Sequence, residues 1–152
     1  MCFVDVQLDT ATPADLVAVL AEHARFWGER DVRHLHQMVL VHEFPDTCLV
    51  AHGQHGILGY LLGFVTPSGV GYIHVVATRD DARGTGLGRR LYLAFAKTAA
   101  RQGATMLKAI TSVANTGSIA FHRALGFEAT VVDDYAGPGN PRVVFRRPLP
   151  LA

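Results

Sequence analysis

Apolar and polar positions along this chain follow two rhythms, and the changes between them mark its elements. Cys2 to Leu8 alternates loosely, as a strand does. Thr12-Pro13-Ala14-Asp15 reads as a helix start: Thr12 can cap, Pro13 suits the first helical position, and Asp15 favours the positive helix end. A helical stripe then runs through Leu16, Leu20, Ala24 and Trp27, and Asp31 opens a second helix through Leu35, Met38 and Val39. Thr47 to Ala51 and Ile57 to Val65 read as two strands joined in a hairpin by His52-Gly53-Gln54-His55-Gly56. Gly71 to Thr78 is an apolar, β-branched run of the kind found in a central strand covered on both faces.

A glycine-rich turn follows. The next helix is expected from about Leu87 to Gln102, with Leu87, Leu91, Phe95 and Ala99 as its apolar stripe and Gly103 as its end. Thr105 to Thr111 reads as a strand, Asn115 to Leu125 as a short helix ending at Gly126, and Phe127 to Asp133 and Arg142 to Arg147 as closing strands. This order predicts one α/β (α+β) domain over residues 1–152: a mixed sheet of about six to seven strands flanked by about four helices.

Composition narrows the choice of chemistry. Apolar residues are 49% of the 152, enough for a full core, and the formal net charge is +1 with no run of Lys or Arg. Nucleic acid and anionic membrane surfaces are therefore poor partners. The longest apolar stretch, around Ile57 to Val65, is too short to cross a bilayer. The N-terminus is acidic and lacks the apolar core of a signal peptide. Two cysteines, Cys2 and Cys48, form no disulfide framework or metal-type pair, and Cys48 reads as core; a reduced cytoplasmic setting is expected. The charged fraction of 18% is low and is compatible with a homodimer that covers apolar surface. His34 and His36 form an HxH pair, but i and i+2 face different ways on a helix, so no metal site is expected.

The most informative segment is Arg83-Gly84-Thr85-Gly86-Leu87-Gly88-Arg89-Arg90, between a strand and a helix. Its glycines permit positive φ and close backbone approach. The first free N–H groups of the helix point back into the loop, and three arginines add positive charge. The result is a diphosphate cradle, whose bland alternative is a tight turn with exposed arginines. A dinucleotide fingerprint would need glycine at Arg89, and a P-loop would need Gly-Lys-Ser/Thr; neither is present.

Arg83, Gly86 and Gly88 fill an Arg-x-x-Gly-x-Gly pattern that resembles the acetyl-CoA signature of the GNAT superfamily. A second block, from Asn115 through Ser118, Phe121 and His122 to Gly126-Phe127, resembles that family's second cofactor motif. The resemblance runs from about Val50 to the C-terminus. It implies a splayed sheet in which the pantetheine arm pairs with the strand before the glycine loop. Val76, Ala77 and Thr78 would then contact pantetheine and acetyl, with main-chain N–H groups polarising the acetyl carbonyl. Residues 83–89 (Arg83, Gly84, Thr85, Gly86, Leu87, Gly88 and Arg89) would cradle the pyrophosphate. Asn115 would bind the pantetheine amide region, with Ser118, Phe121 and His122 of the same block as further cofactor contacts. The implied activity is transfer of acetyl from acetyl-CoA to a primary amine on a small molecule or peptide. A catalytically idle acyl-CoA sensor is the alternative.

Two positions depart from the family pattern. Its usual glutamate base is replaced by His74, whose ordinary pKa suits a base at neutral pH; the competing reading is a core histidine held by a backbone carbonyl. Its usual tyrosine acid is replaced by His122, which could donate a proton, contact the cofactor, or sit half-buried beside Ser118 and Leu125. Asn115 also fits a helix N-cap. Tyr135 is a further proton-donor or substrate-side candidate. Asp133 and Asp134 could attract a cationic amine or merely build a hairpin turn.

Overall fold

The computed structural model describes residues 5–151. The expected N-terminal strand is β1, Gln7–Thr10; its predicted beginning at Cys2 lies outside the described residues. The helices are α1 (Pro13–Ala21), α2 (His23–Trp27), α3 (Met38–Glu43), α4 (Leu87–Arg101) and α5 (Thr116–Ala124). The remaining strands are β2 (Cys48–Gly53), β3 (Gly56–Val65), β4 (Val70–Thr78), β5 (Met106–Thr111), β6 (Glu128–Val132) and β7 (Arg142–Pro148).

The start of α1 forms as the residues dictate. Asp15 N–H donates to Thr12 Oγ1 and Thr12 N–H donates to the Asp15 carboxylate, a reciprocal capping box with Pro13 in the first turn. The predicted single stripe does not hold beyond it. The chain breaks at Glu22, and the buried positions are Leu16, Val19, His23 and Phe26, whereas Ala24 is exposed. The helix expected from Asp31 is likewise replaced by a 3-10 turn at Arg33–Leu35, followed by α3. The breaks leave one apolar side of this segment, Leu16, Val19, Phe26, Leu40 and Val41, packed on the sheet.

All seven strands join one sheet in the order β1-β2-β3-β4-β5-β7-β6. Pairing is antiparallel except between β4 and β5, which the long crossover through α4 makes parallel. One core lies between the sheet and α4, centred on Leu61, Leu91, Phe95, Leu107 and Phe145. The other lies beneath α1, α2 and α3 and holds Leu16, Phe26, Leu40, Cys48, Tyr60 and Val75.

Two irregularities give the sheet its cleft and the residue at the head of it. First, β4 and β5 pair only from Val70↔Met106 to Ile73↔Ala109, although β4 continues to Thr78 and β5 to Thr111. The strands therefore part, and a cleft opens within the sheet. Second, Leu62 opposes Val75 while Gly63 opposes Ile73, which leaves His74 as the extra residue of a β-bulge where pairing with β5 stops. Gly63 is required opposite the bulge, because a Cβ there would lie 2.6 Å from the Tyr72 carbonyl and 2.7 Å from the Phe95 ring.

Candidate active site

The glycine loop runs from the end of β4 into α4. Gly84 and Gly86 adopt φ of 77° and 83°, and a Cβ at either would meet open space. These glycines therefore serve backbone conformation and leave the loop face clear. Gly86 is the N-cap of α4 and offers no side-chain cap, so the first-turn N–H groups are left uncovered by any capping side chain. Gly88 has a different role. Its missing Cβ admits the Phe121 ring at 3.2 Å and brings α5 against the start of α4. Leu87 is buried beneath the loop, and Thr85 Oγ1 donates to the Ala82 carbonyl at 2.6 Å.

The loop is also tied from below. Arg83 Nη2 donates to the Phe26 carbonyl at the end of α2, 3.0 Å away. Arg79 is 4% exposed and makes a two-pronged bond to Asp81 at 2.6 and 2.9 Å, plus a bond to the His55 carbonyl. That guanidinium holds the Asp81 carboxyl below its usual pKa. Arg25 on α2 reaches Asp80 at 3.0 Å and Asp81 at 3.4 Å. Sequence reasoning missed this Arg79–Asp81 brace; its only trace was an Arg-Asp-Asp run closing an apolar strand.

Along the cleft wall, Val76 and Thr78 are half-buried and Ala77 is buried, and these residues pair with β3 on one side only. His74 stands at the head of the cleft. Its Nε2 is buried and has no hydrogen-bond partner among the described residues, and the ring packs near Leu35 in the 3-10 turn. Burial lowers its pKa, with nearby His34 acting in the same direction, so the ring is neutral at pH 7. The residue is an unprotonated imidazole with an orphaned nitrogen, which suits proton acceptance.

Asn115 caps α5: its Oδ1 accepts from Ser118 N–H at 3.2 Å and its Nδ2 donates to Thr111 Oγ1 at 3.0 Å. It thereby ties the head of α5 to the free end of β5. His122 is enclosed by the fold. It is 3% exposed and stacks on Phe145 with ring centroids 3.9 Å apart. Nδ1–H donates to the Ser118 carbonyl at 2.8 Å, which makes Nε2 the acceptor of the Tyr92 hydroxyl at 2.5 Å. Burial pulls its pKa down to about 4. Both ring nitrogens are engaged inside the fold, and Phe121 packs beside it on Tyr92.

A second network carries no sequence signal. Tyr60 Oη accepts from Trp27 Nε1–H at 2.7 Å and donates to His36 Nε2 at 2.6 Å, and His36 Nδ1–H donates to the Val32 carbonyl. His36 of the HxH pair is thus a buried structural residue, while His34 is exposed. Cys48 is fully buried with its thiol on the Leu40 carbonyl, and burial raises its pKa, as befits a core residue. Asp134 accepts from Gly139 N–H and so builds the β6–β7 turn. No helix among the described residues is long and apolar enough to cross a membrane.

The fold and parts of the sequence have counterparts among known proteins. A 55-residue segment is 46% identical to the L-methionine sulfoximine/L-methionine sulfone acetyltransferase of Pseudomonas paraeruginosa, covering 36% of this chain and 32% of that protein. The match thus spans about a third of the relative's length. The structure of Ard1 from Thermoplasma volcanium superposes with a TM-score of 0.79 at 18% identity, covering 97% of this chain and 99% of that one. That of yncA from Salmonella typhimurium, solved with its cofactor acetyl-CoA, superposes at 0.70 with 20% identity, covering 97% and 95%. The model of the acetyltransferase (GNAT) family matches residues 15–127, most of the chain and every element that shapes the cleft and loop, and the chain belongs to that family.

Proposed function

We propose that this chain is an acetyl-CoA-dependent N-acetyltransferase acting on a primary amine. The observation that carries this reading is the open face of Gly84 and Gly86, presented with the α4 N-terminus beside the gap between β4 and β5. A diphosphate fits such a loop, and an amide-bearing arm fits a gap edged by strand backbone.

Residues 83–89 would hold the pyrophosphate. Val76, Ala77 and Thr78 would meet pantetheine and acetyl through the main chain, and Asn115 would reach the same arm from the opposite wall. Acetyl-CoA supplies a thioester-activated acetyl group. His74 takes a proton from the acceptor amine, directly or through one water, as the N–C bond forms and the C–S bond breaks. The main-chain N–H groups of β4 stabilise charge on the acetyl oxygen. A thiol of ordinary pKa near 8.5 is a tolerable leaving group, so the departing thiolate can take its proton from solvent. His122 then serves packing, consistent with its filled hydrogen bonds.

The engaged ring of His122 also favours the alternative of an idle acyl-CoA sensor, since it removes one proton donor. Calorimetric titration of acetyl-CoA and thiol release across an amine panel separate the two. Binding with turnover is expected; binding without turnover across the panel supports the sensor, and absence of binding overturns both.

A further inference from the structure

A groove of about 380 Å³ is lined by Phe64, Thr66, Ser68, Val70, Tyr72, Lys108 and Tyr135. Tyr72 precedes His74 by two residues on β4, with ring centroids 6.3 Å apart, so the groove lies over the paired part of β4 and β5 with its Tyr72 wall next to His74. Its walls are aromatic. Phe64 and Tyr72 lie 5.3 Å apart, and Tyr135 lines the same groove.

The charge in this groove is one-sided. Lys108 sits next to Tyr72 in the parallel register, and its ammonium lies over the Tyr135 ring, 5.5 Å from the centroid. Across β7, the residue directly opposite Lys108 is Arg146, a second cation on the same face. Like charges in directly opposed positions oppose sheet formation. Glu128 faces Arg146 from β6, yet among the described residues no carboxylate lies within ion-pair distance of Lys108 or Arg146. An anion in the groove would relieve this arrangement.

We propose that Lys108 is a specificity-determining residue that receives a carboxylate of the acceptor, so that the acceptor is an amino acid whose apolar part lies against Phe64, Tyr72 and Tyr135. This rests on the assignment of the acceptor to the His74 end of the cleft. A cationic polyamine would meet Lys108 as a like charge and is selected against. A charge-assisted hydrogen bond to a partly desolvated carboxylate corresponds to roughly ten- to hundred-fold discrimination.

The test compares L-leucine with L-leucinamide and L-methionine with L-methioninamide, using wild type, Lys108→Met and Arg146→Met. Thiol release from acetyl-CoA reads turnover, and ligand-observed NMR reads acceptor binding with and without CoA. Wild type is expected to favour the free acid in kcat/KM by roughly tenfold or more. Lys108→Met removes that preference by lowering kcat/KM for the free acid to that for the amide, with acetyl-CoA affinity unchanged. Arg146→Met, one strand further away, weakens it less. If turnover is absent for every acceptor but binding remains acid-selective and Lys108-dependent, the subsite stands and the transferase reading fails. Equal handling of acid and amide by wild type, in turnover and in binding, overturns the subsite, as does an acid preference that survives Lys108→Met.

Discussion

Arg83 opens the glycine loop, and its guanidinium is bonded to the carbonyl of Phe26, 57 positions earlier in the chain. The loop that faces the cleft and the helix that lines the opposite face of the sheet are thus joined by one side chain. Arg25 adds a second tie from α2 to Asp80 and Asp81.

Replacing Arg83 with alanine should therefore have two effects. Acetyl-CoA affinity should fall by about tenfold, the usual consequence of losing one charged partner. Amide exchange in α2 should also quicken. Arg25→Ala severs only the exposed tie and should leave affinity and global stability nearly unchanged. Calorimetry and hydrogen exchange on the two variants check this; unaltered α2 exchange in Arg83→Ala would mean the bond to Phe26 holds nothing.

The rate should follow the neutral form of His74. Burial lowers its pKa, so the acidic limb of kcat/KM should lie below the ordinary histidine value, with activity lost only as pH falls through that lowered pKa. His74→Gln should abolish the limb and lower kcat by about a hundredfold or more. A pH–rate profile of both proteins decides it; an unchanged limb in the variant removes His74 from the chemistry.

His122 should shape stability more than rate. Its pKa is about 4 in the fold against an ordinary 6.5, so the unfolded chain takes up the proton first as pH falls. Stability should be full above about pH 6.5 and decline toward pH 4, by an amount of order 3 kcal/mol. His122→Phe should flatten that decline and leave kcat within a few-fold. Denaturation midpoints across pH, read beside kcat at pH 7.5, test both halves. A large fall in kcat at unchanged stability would restore His122 as a proton donor.

Gly63→Ala should move the bulge. The new Cβ would press on the Tyr72 carbonyl, which is backbone and cannot rotate away. A destabilisation of about 1–3 kcal/mol is expected, with kcat reduced more than acetyl-CoA affinity, because His74 shifts while the glycine loop does not. Urea unfolding and steady-state kinetics measure the two effects.

The strand and helix order was legible because each element carries a local signal: the capping box at Thr12, the α4 stripe at Leu87, Leu91, Phe95 and Ala99, and glycine stops such as Gly103. The segment from His23 to Glu43 was not. Its short helices are held by contacts distant in sequence, such as Trp27 and His36 on Tyr60, and these override local periodicity. The glycine loop could be read from residue type alone because positive φ selects glycine. The family resemblance also indicated His74, but not that a bulge would place it at the head of the cleft. Lys108 and Arg146 could not be paired from the sequence, because their adjacency depends on which strands become neighbours.

The parting of β4 and β5 beyond Ile73 and Ala109 has a thermodynamic consequence. A sheet that keeps a gap between two of its own strands is a scaffold with one member missing, and any extended amide chain that fills the gap is bound by the native state and not by the unfolded one. Its melting temperature must then climb with the concentration of that ligand, by about 2.7 kcal/mol of added stability at a hundredfold excess over Kd. The persistence of this fold would in that way be coupled to the supply of any small molecule that fills the gap.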